Sequence, residues 1–406
     1  MWKKVVKIAI VVLALVVVAL GLYVRRMMPR FPEQLFVQPS GPYAVGTREY
    51  SWTDSSRAEP YTKDPSDHRR VVVQVWYPAV PGGADTARYL LRPDEFASRS
   101  GGRAASKSKT HAVLNAPVAE SGGAFPVLVY NHGGAWTRWS ATFTTQWLAS
   151  YGYAVVSIEH FGFNQTVKYP DGTPFAPDTL TMPKETGDGR ADALASWAFL
   201  DDPVFPIWVA DARFVLDQIE GLARDPGPFQ GRLDLDRIGA FGWSFGGATA
   251  VQLTADDPRV KAAVDHDGQL FGAVRERGTT RPIMQLHNAT DYEKLYPEKQ
   301  RPAVRELMAM TAAWDSTTRE LSSGDWYNVT IAGTDHGDFS DLALFYKRSK
   351  ERIDARRAHE IINAYTLAFF DQYLRGQPST LLSEEPSPFS EATFRARIRT
   401  PVPAAP

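Results

Sequence analysis

Between residues 125 and 375, short apolar runs alternate with longer amphipathic ones. The runs "FPVLVYNHGG" (125–134), "YAVVSIEH" (153–160), "RIGAFGWS" (237–244), "VKAAVDHDG" (260–268), "PIMQLHNA" (282–289) and "WYNVTIAG" (326–333) are almost continuously apolar until their polar or glycine ends. Such runs read as strands buried on both faces. Between them, a helix is expected around 140–151. Another is expected over 206–222, where Trp208, Ala212, Val215, Ile219 and Leu222 share one face. A last helix over 357–375 carries Ile362, Tyr365, Phe369 and Tyr373 on one side and stops at Gly376. Strands alternating with helices predict an α/β chain with a mainly parallel, doubly wound sheet.

Outside this rhythm the chain changes character. "RRVVVQVWYP" (69–78) adds β-rich sequence to the start of a domain spanning 43–376. Residues 93–124, small and polar, read as a long surface excursion, and 165–205, rich in Pro, Gly and Asp, as an irregular insertion. Residues 29–42 read as a linker and 377–406 as a loosely attached tail. Ahead of them, residues 1–28 hold an uncharged apolar run, Ile8–Val24, between Lys3, Lys4, Lys7 and Arg25, Arg26. That length is at the short edge of the roughly 17–25 residues a membrane span needs. The expectation is a single membrane-anchoring helix with the domain over 43–376 on the outer side. The alternative is a cleaved signal peptide and a secreted protein.

Composition narrows the chemistry. With 45 basic and 46 acidic residues the net charge is −1, so nothing recruits nucleic acid. With no cysteine there is no thiolate metal site and no cysteine nucleophile. Glu159-His160 and Asp265-His266-Asp267 cluster possible ligands, but in no established metal spacing.

The strongest local signal is Gly242-Trp243-Ser244-Phe245-Gly246, a G-x-S-x-G sequence with a strand before it and a helix after it. A sharp strand-to-helix turn brings backbone segments together, and the glycines leave room. Ser244 is therefore the expected nucleophile. A hydroxyl needs a base. Among the histidines that follow, His336 in "AGTDHGDFSD" sits in the loop before the last helix and is the expected base. His287, at a strand end, is an alternative; His359, inside the helix, reads as a surface residue. For the acid that orients the base, Asp265, Asp267 and Asp291 remain open. The oxyanion donors expected are the amides of Phe245 and Gly134, the latter in "NHGGAW", a loop that His132 would brace. Trp136, Trp139 and Trp243 are candidates for an acyl-pocket wall or for packing.

Together the stretches "FPVLVYNHGG", "LASYGYAVVSIEH", "DRIGAFGWSFGGAT", "HDGQLFG" and "GTDHGDFSD" resemble the α/β-hydrolases related to plasma platelet-activating factor acetylhydrolase, over residues 69–375. The resemblance implies an α/β-hydrolase fold, with nucleophile Ser244, base His336 and oxyanion donors Phe245 and Gly134. It also selects Asp267 as the acid. One departure is Trp243, where many relatives have histidine. The implied activity is serine carboxylic-ester hydrolysis without metal or organic cofactor. The implied substrate is a small ester, or a phospholipid with a short or oxidised acyl chain. A non-catalytic surface scaffold and a peptidase or amidase on the same triad are the competing readings.

Overall fold

A computed structural model describes residues 31–399 apart from 84, 97, 98, 296, 299, 347–350 and 384–386. The anchor or signal expected at 1–28 lies outside the described residues. Among those residues, no helix is long and apolar enough to cross a membrane. The strands are β1 (Ala44–Ala58), β2 (His68–Ala79), β3 (Thr86–Arg88), β4 (Lys109–Leu114), β5 (Phe125–Asn131), β6 (Ala154–Glu159), β7 (Leu233–Trp243), β8 (Val260–His266), β9 (Ile283–Asn288), β10 (Trp326–Ile331) and β11 (Ala392–Arg397). They form one sheet in the order β11-β10-β9-β8-β7-β5-β6-β2-β1-β4-β3. The run from β6 through β10 is parallel. β2 runs antiparallel to both β6 and β1.

Six helices frame the site: α1 (Thr142–Ser150), α2 (Gly189–Phe199), α3 (Phe205–Arg224), α4 (Phe245–Asp256), α5 (Arg301–Leu321) and α6 (Ala355–Arg375). α1 and α6 pack on one face of the sheet, through residues such as Phe143, Leu148, Ile362 and Phe369. α3 and α4 pack on the other, through Trp208, Val215, Ile219 and Val251. With both faces covered, β5 and β6 are buried at every position, and so their sequences show no alternation. α6 ends at Gly376, whose φ of 66° is the left-handed conformation a helix stop requires.

Four expectations need correction. The excursion at 93–124 contains β4, which pairs in parallel with β1. Its inward positions are Thr110 and Ala112, and the Thr110 hydroxyl is satisfied by the Ala87 carbonyl (2.9 Å), so hydropathy gave little sign of a strand. The tail contributes β11, antiparallel to β10. It is an edge strand, and only Phe394 points into the core. The linker is docked as well: Leu35 and Phe36 are buried, and the Lys109 N–H donates to the Glu33 carbonyl (2.8 Å). The insertion at 165–205 holds α2, capped by Asp188, which accepts from the Arg190 and Ala191 amides. No residue of α2 is fully buried, which explains the missing apolar stripe.

Behind the loop that carries Gly134 lies a buried charge cluster. Arg69 on β2 is fully buried. Its Nε and Nη2 donate to the two oxygens of Asp211 on α3 (3.0 and 2.7 Å), its Nη1 to Glu59 (3.0 Å) and its Nη2 also to the Phe161 carbonyl (2.9 Å). Burial alone would raise the Asp211 pKa; the Arg69 guanidinium and His160 hold it far below the ordinary carboxylate range. Removing one partner of such a cluster leaves the others charged and dry. Arg69→Met is therefore expected to destabilise the fold by about 3–5 kcal/mol. Urea unfolding checks this, and a loss below about 1 kcal/mol would contradict the cluster's role.

Candidate active site

β7 ends at Trp243 and α4 starts at Phe245, so the whole reversal falls on Ser244, with φ 58° and ψ −123°. A non-glycine residue in this region is strained. Two crossings hold it there. A Cβ on Gly242 would lie 2.2 Å from the Gly246 backbone, and one on Gly246 would lie 2.1 Å from the Asn131 carbonyl at the end of β5. Side chains at either position would push the turn apart. The Ser244 N–H donates to the His266 carbonyl (2.9 Å), which ties the turn to β8.

The loops after β8 and β10 converge on this serine. His336 Nε2 is 2.9 Å from Ser244 Oγ, and His336 Nδ1 is 2.6 Å from Asp267 Oδ2. A carboxylate only accepts, so Nδ1 carries a proton toward Asp267 and Nε2 is left to accept from the serine hydroxyl. Asp267 stands one residue past β8 at φ 59°, which turns its carboxylate away from the strand toward His336. Asn288, at the end of β9, fixes that carboxylate: its backbone N–H donates to Oδ1 (2.8 Å) and its Nδ2 to Oδ2 (2.7 Å). Sequence reasoning missed Asn288; the available signal was an amide ending the strand beside the candidate acids. Asn288→Ala removes the Nδ2 donor to Oδ2 and leaves the backbone donor to Oδ1, so the carboxylate is held on one side only, and kcat for a simple ester is expected to fall about tenfold, as measured by steady-state kinetics.

The other candidates lie apart from this chain of bonds. Asp265 is fully buried within β8, accepts from the Gly268 N–H (2.7 Å), and has its pKa raised strongly by burial. Asp291 is exposed and pairs with Lys294 (3.0 Å). His287 lines the same cavity as Ser244, but the imidazole bonded to the serine is that of His336. His359 is buried rather than on the surface: its ring stacks on Phe143 (3.6 Å between centroids) and Nε2 contacts the Ser340 carbonyl (3.1 Å). Glu159 and His160 are engaged by Arg138 (2.7 Å) and by Asp211 (3.2 Å) and Asn131 (3.0 Å). Among the described residues no three His, Asp or Glu side chains gather as a ligand set.

Gly134 and Phe245, the expected oxyanion donors, both line the cavity at Ser244. The loop carrying Gly134 is fixed from below. His132 is fully buried; its Nε2 accepts from the His160 N–H (3.1 Å), which leaves Nδ1–H for the Gly133 carbonyl (2.7 Å). Burial lowers the pKa of His132 well below its ordinary value, which keeps that tautomer neutral. The ring of Trp243 lies under Gly133, where a Cβ would meet it at 2.7 Å, and its Nε1–H donates to the His336 carbonyl (2.9 Å). Trp243 thus braces both the loop of Gly133 and Gly134 and the loop of His336. Trp139 is buried beneath Arg138, whose guanidinium lies 4.1 Å from its ring. Neither Trp136 nor Trp139 is among the cavity's lining residues.

The cavity holds about 960 Å³. Its floor is the carboxyl edge of the sheet, and α2 and α5 cover it, through Trp197 on α2, Leu200 just after it, and Val304 and Leu307 on α5. The two helices meet through Arg190 and Glu306 (2.8 Å) and through Trp197 and Trp314 (5.0 Å between centroids).

Residues 225–379, which contain Ser244, Asp267 and His336, match the family described as platelet-activating factor acetylhydrolase, isoform II. A probable 1-alkyl-2-acetylglycerophosphocholine esterase of Arthroderma benhamiae is 26% identical over 66% of this chain and 66% of its own. A platelet-activating factor acetylhydrolase of Cavia porcellus is 23% identical over 66% of this chain and 61% of its own. The matched region therefore spans a little under two thirds of those relatives. Among solved structures, a ferulic acid esterase from Streptomyces cinnamoneus superposes with a TM-score of 0.67 at 27% identity, over 89% of this chain and 99% of that one. The mixed α/β architecture is similar to that of the ferulic acid esterase, and by sequence the chain is related to the platelet-activating factor acetylhydrolases.

Proposed function

We propose that this protein is a serine carboxylic-ester hydrolase working through Ser244, His336 and Asp267. One observation carries the reading: a strained serine lining a large cavity is hydrogen-bonded to an imidazole whose other nitrogen meets a fixed carboxylate. His336 Nε2 takes the Ser244 proton as Oγ bonds to the ester carbonyl carbon. The amides of Phe245 and Gly134 receive the oxyanion, a contribution of about 10²–10³ in rate for each donor. His336 then gives its proton to the departing alcohol oxygen as the C–O bond breaks. In the second half, His336 deprotonates water, which attacks the acyl carbon, and the proton returns to Ser244 as the acid leaves. Asp267 holds the tautomer and stabilises the transient imidazolium. We infer small carboxylic esters as substrates, short- or oxidised-acyl phospholipids included, from the esterase and acetylhydrolase names of the relatives.

A fluorophosphonate probe tests the reading. Stoichiometric adduct on Ser244 of the folded protein, found by peptide mass spectrometry, is the expected result. No adduct would favour a non-catalytic scaffold. A parallel panel of p-nitrophenyl esters and p-nitroanilides separates esterase from amidase, with turnover expected of the esters alone.

A further inference from the structure

The cavity has two chemically different ends. One is aromatic: Phe163 and Phe271 flank Phe245 at 6.3 and 5.0 Å between centroids, and Trp197 lies 6.3 Å from Phe271. The other lies under α5. Val304, Leu307 and Thr311 present one helical face to the cavity, and the next turn of that face brings Asp315, a carboxylate, into the lining together with His287.

Asp315 is poorly satisfied. Its hydrogen bond among the described residues is a long one, from the Gln285 amide at 3.4 Å. Arg319, one turn further along α5, lies over the Trp326 ring instead (4.7 Å). Burial raises the Asp315 pKa, while His287, Gln285 and Arg319 draw it back toward the ionised form. A desolvated carboxyl with spare acceptor sites is costly unless something donates to it. Gln285, whose amide touches Asp315, is itself fully buried on β9.

We propose that Asp315, with His287 beside it, is the specificity-determining end of the pocket and selects esters whose leaving alcohol bears a hydrogen-bond-donating group, a hydroxyl or a protonated amine. This rests on the esterase reading, which also sets the orientation. His336 must protonate the departing oxygen, so the alcohol lies on the His336 side of Ser244. The strand order puts β9, which carries His287, between β8 and β10 on that same side. The acyl group then occupies the aromatic end.

The test is a set of esters of one short acid whose alcohols run from two to six carbons and end in methyl, hydroxyl or dimethylamino. kcat/KM is measured at pH 7, with active sites counted by fluorophosphonate labelling. At the chain length that fits, the wild type is expected to favour a donor-bearing alcohol over the matched methyl-ended one by about tenfold or more, because a site built to receive a donor discriminates against an analogue lacking it. Asp315→Leu should bring that ratio to unity or below. Asp315→Asn should keep part of the hydroxyl preference and lose that for the amine. His287→Gln provides a second variant should Asp315→Leu fail to fold, and it should reduce the ratio. Methyl-ended esters turned over as fast as donor-ended ones at every length, or a preference that survives Asp315→Leu, would overturn the proposal while Ser244-dependent turnover kept the esterase reading intact. Absence of any Ser244-dependent ester turnover would end both.

Discussion

Ser244→Ala lowers kcat for p-nitrophenyl acetate by about 10⁶-fold and leaves thermal stability almost unchanged; this is the expected result if the hydroxyl supplies the attacking atom. The two halves of the expectation have different origins. The rate loss follows because nothing else at the elbow can bond to the carbonyl carbon. His336 remains, but a water held by it must attack without the positioned oxygen. Stability is unaffected because the strain at φ 58° belongs to the backbone and the Cβ, and alanine keeps both. Oγ bonds His336, which is itself only partly buried, so little folding energy is lost with it. Retention of more than about 1% of wild-type turnover would exclude Ser244 as the nucleophile, since removing the attacking atom costs far more than that. His336→Ala is expected to fall within about tenfold of the same loss, because nucleophile and base act as one unit.

How much of this was legible in the sequence varies with burial. The parallel strands were plain because both faces of each are covered, so apolar residues run without a break. The candidate nucleophile's turn was plain because two glycines are forced by backbone crossings of 2.2 and 2.1 Å, which no other residue tolerates. What the sequence hid was held in place by polar or one-sided contacts. β11 sends only Phe394 into the core, β4 buries a threonine, and α5 turns most of its surface outward. His359 looked like a surface residue because a histidine in a helix gives no sign of the phenylalanine stacked on it. Three aspartates stood near strand ends, and periodicity could not separate them. Asp265 follows the strand's alternation into the layer beneath, whereas Asp267 escapes it by a positive φ that no pattern of side chains reports. The family resemblance pointed to Asp267, the one whose carboxylate meets His336.

Asp267→Asn should then lower kcat by about 10⁴-fold although the substitution is isosteric. The reason is the direction of each hydrogen bond. Oδ1 accepts from the Asn288 backbone N–H, a donor that cannot turn round. An asparagine at 267 must keep its carbonyl oxygen there, so its amide nitrogen takes the place of Oδ2. That nitrogen then faces His336 Nδ1 at about the present 2.6 Å and donates to it. The imidazole is forced to carry its proton on Nε2, where it can no longer accept from Ser244. The amide nitrogen also faces the Asn288 Nδ2 donor, now 2.7 Å from Oδ2, which sets donor against donor and gives that side chain reason to turn. Converting Asn288 to aspartate in the same chain does not restore the tautomer, because the fixed backbone donor remains. The double variant is therefore expected to stay within about tenfold of Asp267→Asn, since both leave His336 with its proton on the wrong nitrogen. Steady-state kinetics with ¹⁵N NMR of the His336 ring reads both quantities. A loss below about tenfold, or an Nδ1–H signal in the asparagine variant, would mean that Asp267 does not set the histidine's tautomer.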